Sequence, residues 1–366
     1  MIKLKVRGKR LFLPIFAIAS TLVFSSCSNA SENRAANESE VTSASAVFSE
    51  SEEKMLIPGG SVIGVTLESN GILVLGTGNV TGQDRHIYSP ADQILKEGDI
   101  ILKADGVELN DKEALLNAVK NSSDDVSLTV SRDDEVINVD VTPVECIEDG
   151  SKKIGVWVRD STQGIGTLTY IDPEDLSFGA LGHGVYDADT GDLMALKSGS
   201  VVGSTLTGIR KSEKGVPGEL TGMLNKSVIY GSVNGNTECG IYGKVSSDAV
   251  SMLYTDPIPV AAMDEIQTGE AVILCSLDGK EVKEYKIMIE GINEDASDAD
   301  KGLVIRITDQ ELKNAAGGIV QGMSGSPIIQ DGKLIGAVTH VFVREPTKGY
   351  GIFAASMLAE DENVNG

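Results

Sequence analysis

Residues 327–341 read PIIQDGKLIGAVTHV, two apolar runs of β-forming residues hinged at Asp331-Gly332. An Asp-Gly pair between such runs is a hairpin signal, so this part of the chain is read as antiparallel β-structure. Immediately ahead stands GGIVQGMSGS, in which glycines flank Ser324 and a proline follows two residues after Gly325. Gly and Ser are also the ordinary residues of turns. Two readings therefore stand at this point: a turn with incidental serines, or a strained loop that presents a catalytic hydroxyl.

The chain has 366 residues, enough for two domains and a tail, each able to bury its own core. From Pro58 onward short β-like runs recur, SVIGVTL, GILVLG, DIILKADG, VSLTV and VINVDV. One helical candidate lies among them, DKEALLNAVKN, which puts Leu115, Leu116 and Val119 on one face. The 54 Asp and Glu against 31 Lys and Arg make a surface that repels phosphate backbones, so nucleic acid is excluded as a partner class.

Positive charge gathers at the start, where Lys3, Lys5, Arg7, Lys9 and Arg10 precede LFLPIFAIASTLVF. That is the layout of a secretory signal within residues 1–27, its apolar stretch short for a membrane span. It ends in FSSCS, and Cys27 after small residues resembles a lipoprotein processing site; a cleaved signal and an uncleaved anchor are the alternatives. Each route implies export, and an extracytoplasmic, membrane-associated protein is expected. Residues 28–56 are polar and acidic and read as a flexible linker. The other cysteines, Cys146, Cys239 and Cys275, have no metal-ligand spacing and read as buried thiols, so no metal or cofactor is expected.

SPADQILKEGDIILKADGVEL, residues 89–109, resembles the most recognisable stretch of PDZ domains in exported proteases. There a short helix beginning at Ser-Pro-Ala leads into a strand beginning at Gly-Asp, followed by an Asn/Asp-Gly turn. The resemblance extends over residues 57–143 and implies binding of an extended peptide as an added strand, its carboxylate held by a glycine loop. That loop would be Gly60 to Val65, with Ile63, Gly64 and Val65 nearest the peptide. The alternative is a PDZ-like fold packed on its neighbour with no free groove.

Beyond Pro143, GIGTLTYI reads as a strand, DPEDLS as a turn and FGALGHG as a second strand closing on His183. A histidine alone on a strand is commonly structural. Here a Gly-x-Ser-Gly-x-Pro loop follows in the same β-rich domain. A nucleophilic serine needs a general base within reach and N–H donors aimed at the developing oxyanion. Gly322 and Ser324 would supply those donors, with Ser324 as nucleophile and His183 as base, and the loop is accordingly read as catalytic.

RDSTQGIGTLTYIDP, FGALGHGVYDADTG, KGVPGELTG, CGIYG and GGIVQGMSGSPIIQDGKLIGAVTHVF with its TKGYGIF tail look like the SpoIVB peptidases, sporulation serine proteases of endospore-forming bacteria. The resemblance covers residues 154–356. It implies a mainly β chain with an α+β module, a PDZ domain followed by a chymotrypsin-like double β-barrel over residues 144–360. It also points to Asp309, fifteen residues before Ser324 in VIRITDQELKNAAGG, as the triad acid. Asp309 as N-cap of a helix QELKNA is the competing reading, and Asp187 or Asp189 in the YDADTG turn are the competing acids. His340 is expected to line the cleft or core. The family resemblance further implies protein substrates, among them a membrane-bound regulator of an intramembrane protease that processes a late sigma factor in the space around the forespore, and the chain's own N-terminal segment. Two rivals are an HtrA-like quality-control protease, whose domain order is the reverse, and a non-enzymatic PDZ scaffold, against which Ser324 and His183 speak.

Overall fold

The structure is a computed structural model and describes residues 53–133, 135–250, 256–294 and 298–366. The signal, Cys27 and nearly all of the linker read above lie outside these residues. Among the described residues no helix is long and apolar enough to cross a membrane.

The runs SVIGVTL and GILVLG join into one 16-residue strand, Val62–Thr77. In its first half Ile63, Val65 and Leu67 point into one core; in its second half Ile72 and Val74 point into another. Odd positions face inward before the break and even positions after it, so the strand must change faces between them. Gly71 makes the change with φ +101, and a Cβ there would lie 2.6 Å from Ile100 Cγ2.

The first half of this strand belongs to the protease part. It pairs on one side with Val156–Ile171 and on the other with Leu196–Arg210. The pairings continue from Val156–Ile171 through Ser177–Ala180, Gly240–Val245 and Gly218–Thr237 to Leu196–Arg210, so the six strands close on themselves. A second closed barrel is formed by Gly269–Cys275, Lys283–Ile292, Leu303–Ile307, Lys348–Phe353, Lys333–Val341 and Pro327–Gln330. The hairpin expected at Asp331-Gly332 is present, with Gln330 paired to Lys333. The C-terminal helix Ala354–Asn365 packs on strands of both barrels.

The PDZ part is the second half of Val62–Thr77 with Ile100–Ala104, Val126–Arg132 and Glu135–Val141 in one sheet, covered by the helix Lys112–Asn121. Asp111 caps this helix by accepting from Ala114 N at 2.8 Å. Leu115 and Val119 are buried, but Leu116 is 63% exposed, so the apolar face is narrower than the sequence reading had it. The Ser-Pro-Ala segment forms successive turns rather than a helix. Asp99, 1% exposed, accepts two bonds from the Arg132 guanidinium at 2.7 and 2.6 Å, and the same guanidinium donates to Ile94 O.

The structure differs from the sequence reading at three places. The acidic linker does not run to residue 56, because Met55–Pro58 is a strand between Ile171 and Ile258, and Leu56 is fully buried. Within the stretch read as PDZ from residue 57, residues 62–69 pair with strands of the protease barrel. Ile63, Gly64 and Val65 therefore cannot take an added peptide strand. They face Gly166, Ile165 and Gly164 on one side, and Gly64 and Val65 face Val202 and Val201 on the other. Gly60 N also donates to Leu168 O, which removes it as a carboxylate donor. A strand bonded along both edges has no ladder groups left to offer.

Removing Arg132 would leave the Asp99 carboxylate buried without its counter-charge. Arg132→Met is expected to cost about 3 kcal/mol of stability, read as an earlier midpoint in chemical denaturation.

Candidate active site

Ser324 stands in the turn between Val320–Gln321 and Pro327–Gln330. The turn is closed by Met323 N donating to Val320 O at 3.1 Å and Ser326 N to Met323 O at 2.9 Å. It is then fixed to the neighbouring barrel. Thr167 N donates to Ser324 O at 3.0 Å, Thr167 Oγ1 to Gly322 O at 2.7 Å and Thr169 Oγ1 to Gly325 O at 2.8 Å. Both threonines are 1% exposed. The sequence reading passed over them; their signal is the alternation in GIGTLTYI, which puts polar, β-branched side chains at every second position.

Gly325 shows why the motif needs glycine after the serine. Its φ is +93, and a Cβ would lie 2.2 Å from Thr167 O and 2.5 Å from Leu181 N. The backbone of the histidine-bearing turn thus occupies the space that a side chain would need. Leu181 itself has φ +70, an unusual conformation for a bulky residue that costs about 1 kcal/mol and is held by the surrounding packing.

His183 follows two residues later. Its Nδ1 lies 2.8 Å from Gly184 O, so Nδ1 carries the proton and donates it to that carbonyl, leaving Nε2 as acceptor. Burial lowers its pKa below the ordinary histidine value; the Gly184 carbonyl and Asp300 oppose that shift, and His340 adds to it. The His340 ring lies 4.8 Å from the His183 ring, centroid to centroid. His340 Nδ1 is 3.3 Å from Asp300 Oδ2, and burial lowers the pKa of His340 as well. Ser324, His183 and His340 open into one cleft of about 560 Å³, with apolar walls that include Leu67, Ile165, Ile319 and Val341. In this state Ser324 Oγ donates to Thr339 O at 2.8 Å.

The structure does not bring Asp309 to His183. Asp309 is the N-cap of Gln310–Ala316, where its side chain accepts from Leu312 N at 3.0 Å and from Lys286 N at 3.4 Å. The competing acids are committed too, since Arg159 donates to Asp187 and to Asp189 at 2.6 Å each. The carboxylate beside the histidines is Asp300, for which the sequence offered no signal. The buried thiols expected at Cys146, Cys239 and Cys275 are free and buried. Burial pushes Cys239 up to about 11 and Cys275 up to about 12, which keeps both protonated at neutral pH. Among the described residues no group of side chains is arranged to hold a metal ion.

A serine on a glycine turn and a histidine from the other barrel, opening into one cleft with apolar walls, define a serine peptidase of the double-barrel type, carrying a PDZ domain. The model of the SpoIVB peptidase S55 family matches residues 150–358, more than half of the chain, and a PDZ domain model matches residues 61–142. The chain belongs to the SpoIVB peptidase S55 family. Among solved structures it is similar to the PDZ domain of an SdrC-like protein from Listeria monocytogenes, at 20% identity over 24% of this chain and 87% of that one, TM-score 0.20. It is also similar to the Rv3671c protease in its inactive form, at 14% identity over 55% and 85% of the two chains, TM-score 0.33. The active form of that protease, from M. tuberculosis, gives 16% identity over 56% and 75%, TM-score 0.32. No curated protein sequence matches the chain.

Two neighbouring positions should respond oppositely. Gly325→Ala must displace Thr167 or Leu181, and activity is expected to fall on the order of a hundredfold. Ser326 is fully buried with no hydrogen-bond partner for its hydroxyl, so Ser326→Ala should keep activity and equal or exceed wild-type stability by up to about 1 kcal/mol. The pH dependence follows from His183. Only its neutral form accepts a proton, and a lowered pKa keeps that form present at lower pH, so the acidic limb of kcat/KM is expected below about 6.5.

Proposed function

We propose that this protein is an exported, membrane-associated serine endopeptidase that cleaves itself near its N-terminus and cleaves a membrane-bound regulator of an intramembrane protease, leading to sigma-factor processing during sporulation. The observation that carries the peptidase chemistry is the meeting of Ser324 and His183 in one cleft from different barrels. Rotation of the Ser324 hydroxyl from Thr339 O toward Nε2 of His183 aligns it for attack on a peptide carbonyl. His183 takes the hydroxyl proton, the N–H groups of Gly322 and Ser324 stabilise the tetrahedral oxyanion, and the imidazolium returns the proton to the leaving amine. The apolar walls of the cleft favour an extended substrate with apolar side chains.

Self-cleavage is supported by how firmly the folded part begins. Lys54 pairs with the buried Asp172 at 2.5 Å, and Val260 N donates to Lys54 O. A cut ahead of Glu53 would leave the described fold whole. The signal-like start and acidic linker support export and a membrane tether, and the family supports the sporulation role.

Ser324→Ala and His183→Ala are each expected to lower self-cleavage by roughly 10⁴-fold or more with nearly unchanged thermal unfolding, and Ser324→Ala to lose labelling by a fluorophosphonate. Wild-type self-processing by purified Ser324→Ala protein would overturn the assignment. In the source organism, replacement by the Ser324→Ala form should block spore formation at a late stage; normal spores would remove the sporulation role and leave the peptidase standing.

A further inference from the structure

The chemistry proposed above leaves one electrostatic role open. In a serine peptidase a carboxylate orients the histidine and stabilises the imidazolium that forms during attack. The Gly184 carbonyl already does the orienting, because it receives the Nδ1 proton of His183. A carbonyl carries only a partial charge, so the full negative charge must come from elsewhere. Asp309 is spent on its helix, and Asp187 and Asp189 are spent on Arg159.

We infer that Asp300, acting through His340, supplies that charge, and that Asp300 and His340 are a positioning pair for the general base His183. Three contacts build the arrangement. His340 Nδ1 lies 3.3 Å from Asp300 Oδ2, with the carboxylate 19% exposed. The His340 ring packs on His183 at 4.8 Å and 46°. Thr339 ties both ends together: its hydroxyl donates to Asp300 O at 2.6 Å, and its carbonyl receives the hydroxyl of Ser324. One residue thus joins the acid's backbone, the second histidine and the nucleophile.

Among the described residues the charges around the pair are few. Asp300 and Lys301 belong to the short turn Ala299–Lys301, where Lys301 is paired with Asp298. On the other barrel Tyr186 and Glu238 face the same region. A neutral His340 that donates Nδ1–H to Asp300 brings negative potential to the His183 ring without adding a proton there. A protonated His340 would oppose the imidazolium. The His340 side chain is 45% exposed, and its partial desolvation, helped by Lys301, lowers its pKa against the pull of Asp300, which favours the neutral ring at neutral pH.

This inference rests on His183 being the base, and the test separates the two. The probe is a fluorophosphonate, whose labelling rate on the full chain reports Ser324 reactivity without a known substrate. Asp300→Asn and His340→Gln are each expected to label about tenfold more slowly at neutral pH, and Asp300→Asn also to move the pH midpoint of labelling lower, because His183 loses the attraction of the carboxylate. The double variant should be no slower than either single one, since the two residues act as a unit. Asp309→Asn should label at the wild-type rate. A merely structural role for Asp300 would change the rate without moving the midpoint. Wild-type rate and midpoint in Asp300→Asn, or loss of labelling in a folded Asp309→Asn, would overturn the inference and leave the peptidase assignment intact. Absence of Ser324 labelling in the wild type would overturn both.

Discussion

Thr167 holds the nucleophile turn of one barrel from a strand of the other, by its N–H to Ser324 O and its hydroxyl to Gly322 O. These bonds are out of water, where an unmade partner is expensive, so the two barrels are fixed against each other at the point where chemistry would occur. The spacing they impose leaves no room for a side chain at Gly325 and forces Leu181 into a left-handed conformation. His183 is delivered by that same turn. The geometry of the candidate site is thus a consequence of how closely two backbones approach.

The PDZ part is bound into the same framework by covalent strands rather than by a linker. Val156 to Arg159 pair with Leu73 to Thr77, while Val156 and Val158 pack on the PDZ core. The Lys112 N–H of the PDZ helix donates to Asp160, two sequence-distant segments meeting at a helix N-terminus where a carboxylate is favoured. Eight residues after Arg159 the same strand carries Thr167. Arg159 also clamps the loop that follows His183, so the PDZ sheet edge, the histidine loop and the nucleophile turn are mechanically contiguous.

The overall charge of −23 does not describe the cleft. Two imidazoles line the cleft with Ser324, one carboxylate lies beside His340, and the acids of the YDADTG turn are consumed by a single guanidinium. Desolvation outweighs the attraction of Asp300 for both histidines, and this leaves His183 in the form that can accept a proton.

What the sequence alone determined is what depends on neighbouring residues. The Asp331-Gly332 hairpin, the glycine-flanked Ser324, the turn before His183 and the helix after Asp111 all follow from local backbone preference and periodicity. The Asp309 cap was legible on the same grounds: Asp ahead of Gln-Glu-Leu answers a nearby N–H, and that local bond prevails over a distant imidazole. Tertiary structure alone decided which strand edges remain open and which distant groups meet. Ile63 to Val65 have a pattern that suits a peptide groove or a barrel interior equally, and only pairing with residues 164–166 and 201–202 selects the latter. Thr167 and Gly322 are 155 positions apart, and Asp300 meets His340 across a barrel. No periodicity records such contacts, because they arise from closing two sheets against each other rather than from the conformation of any one segment.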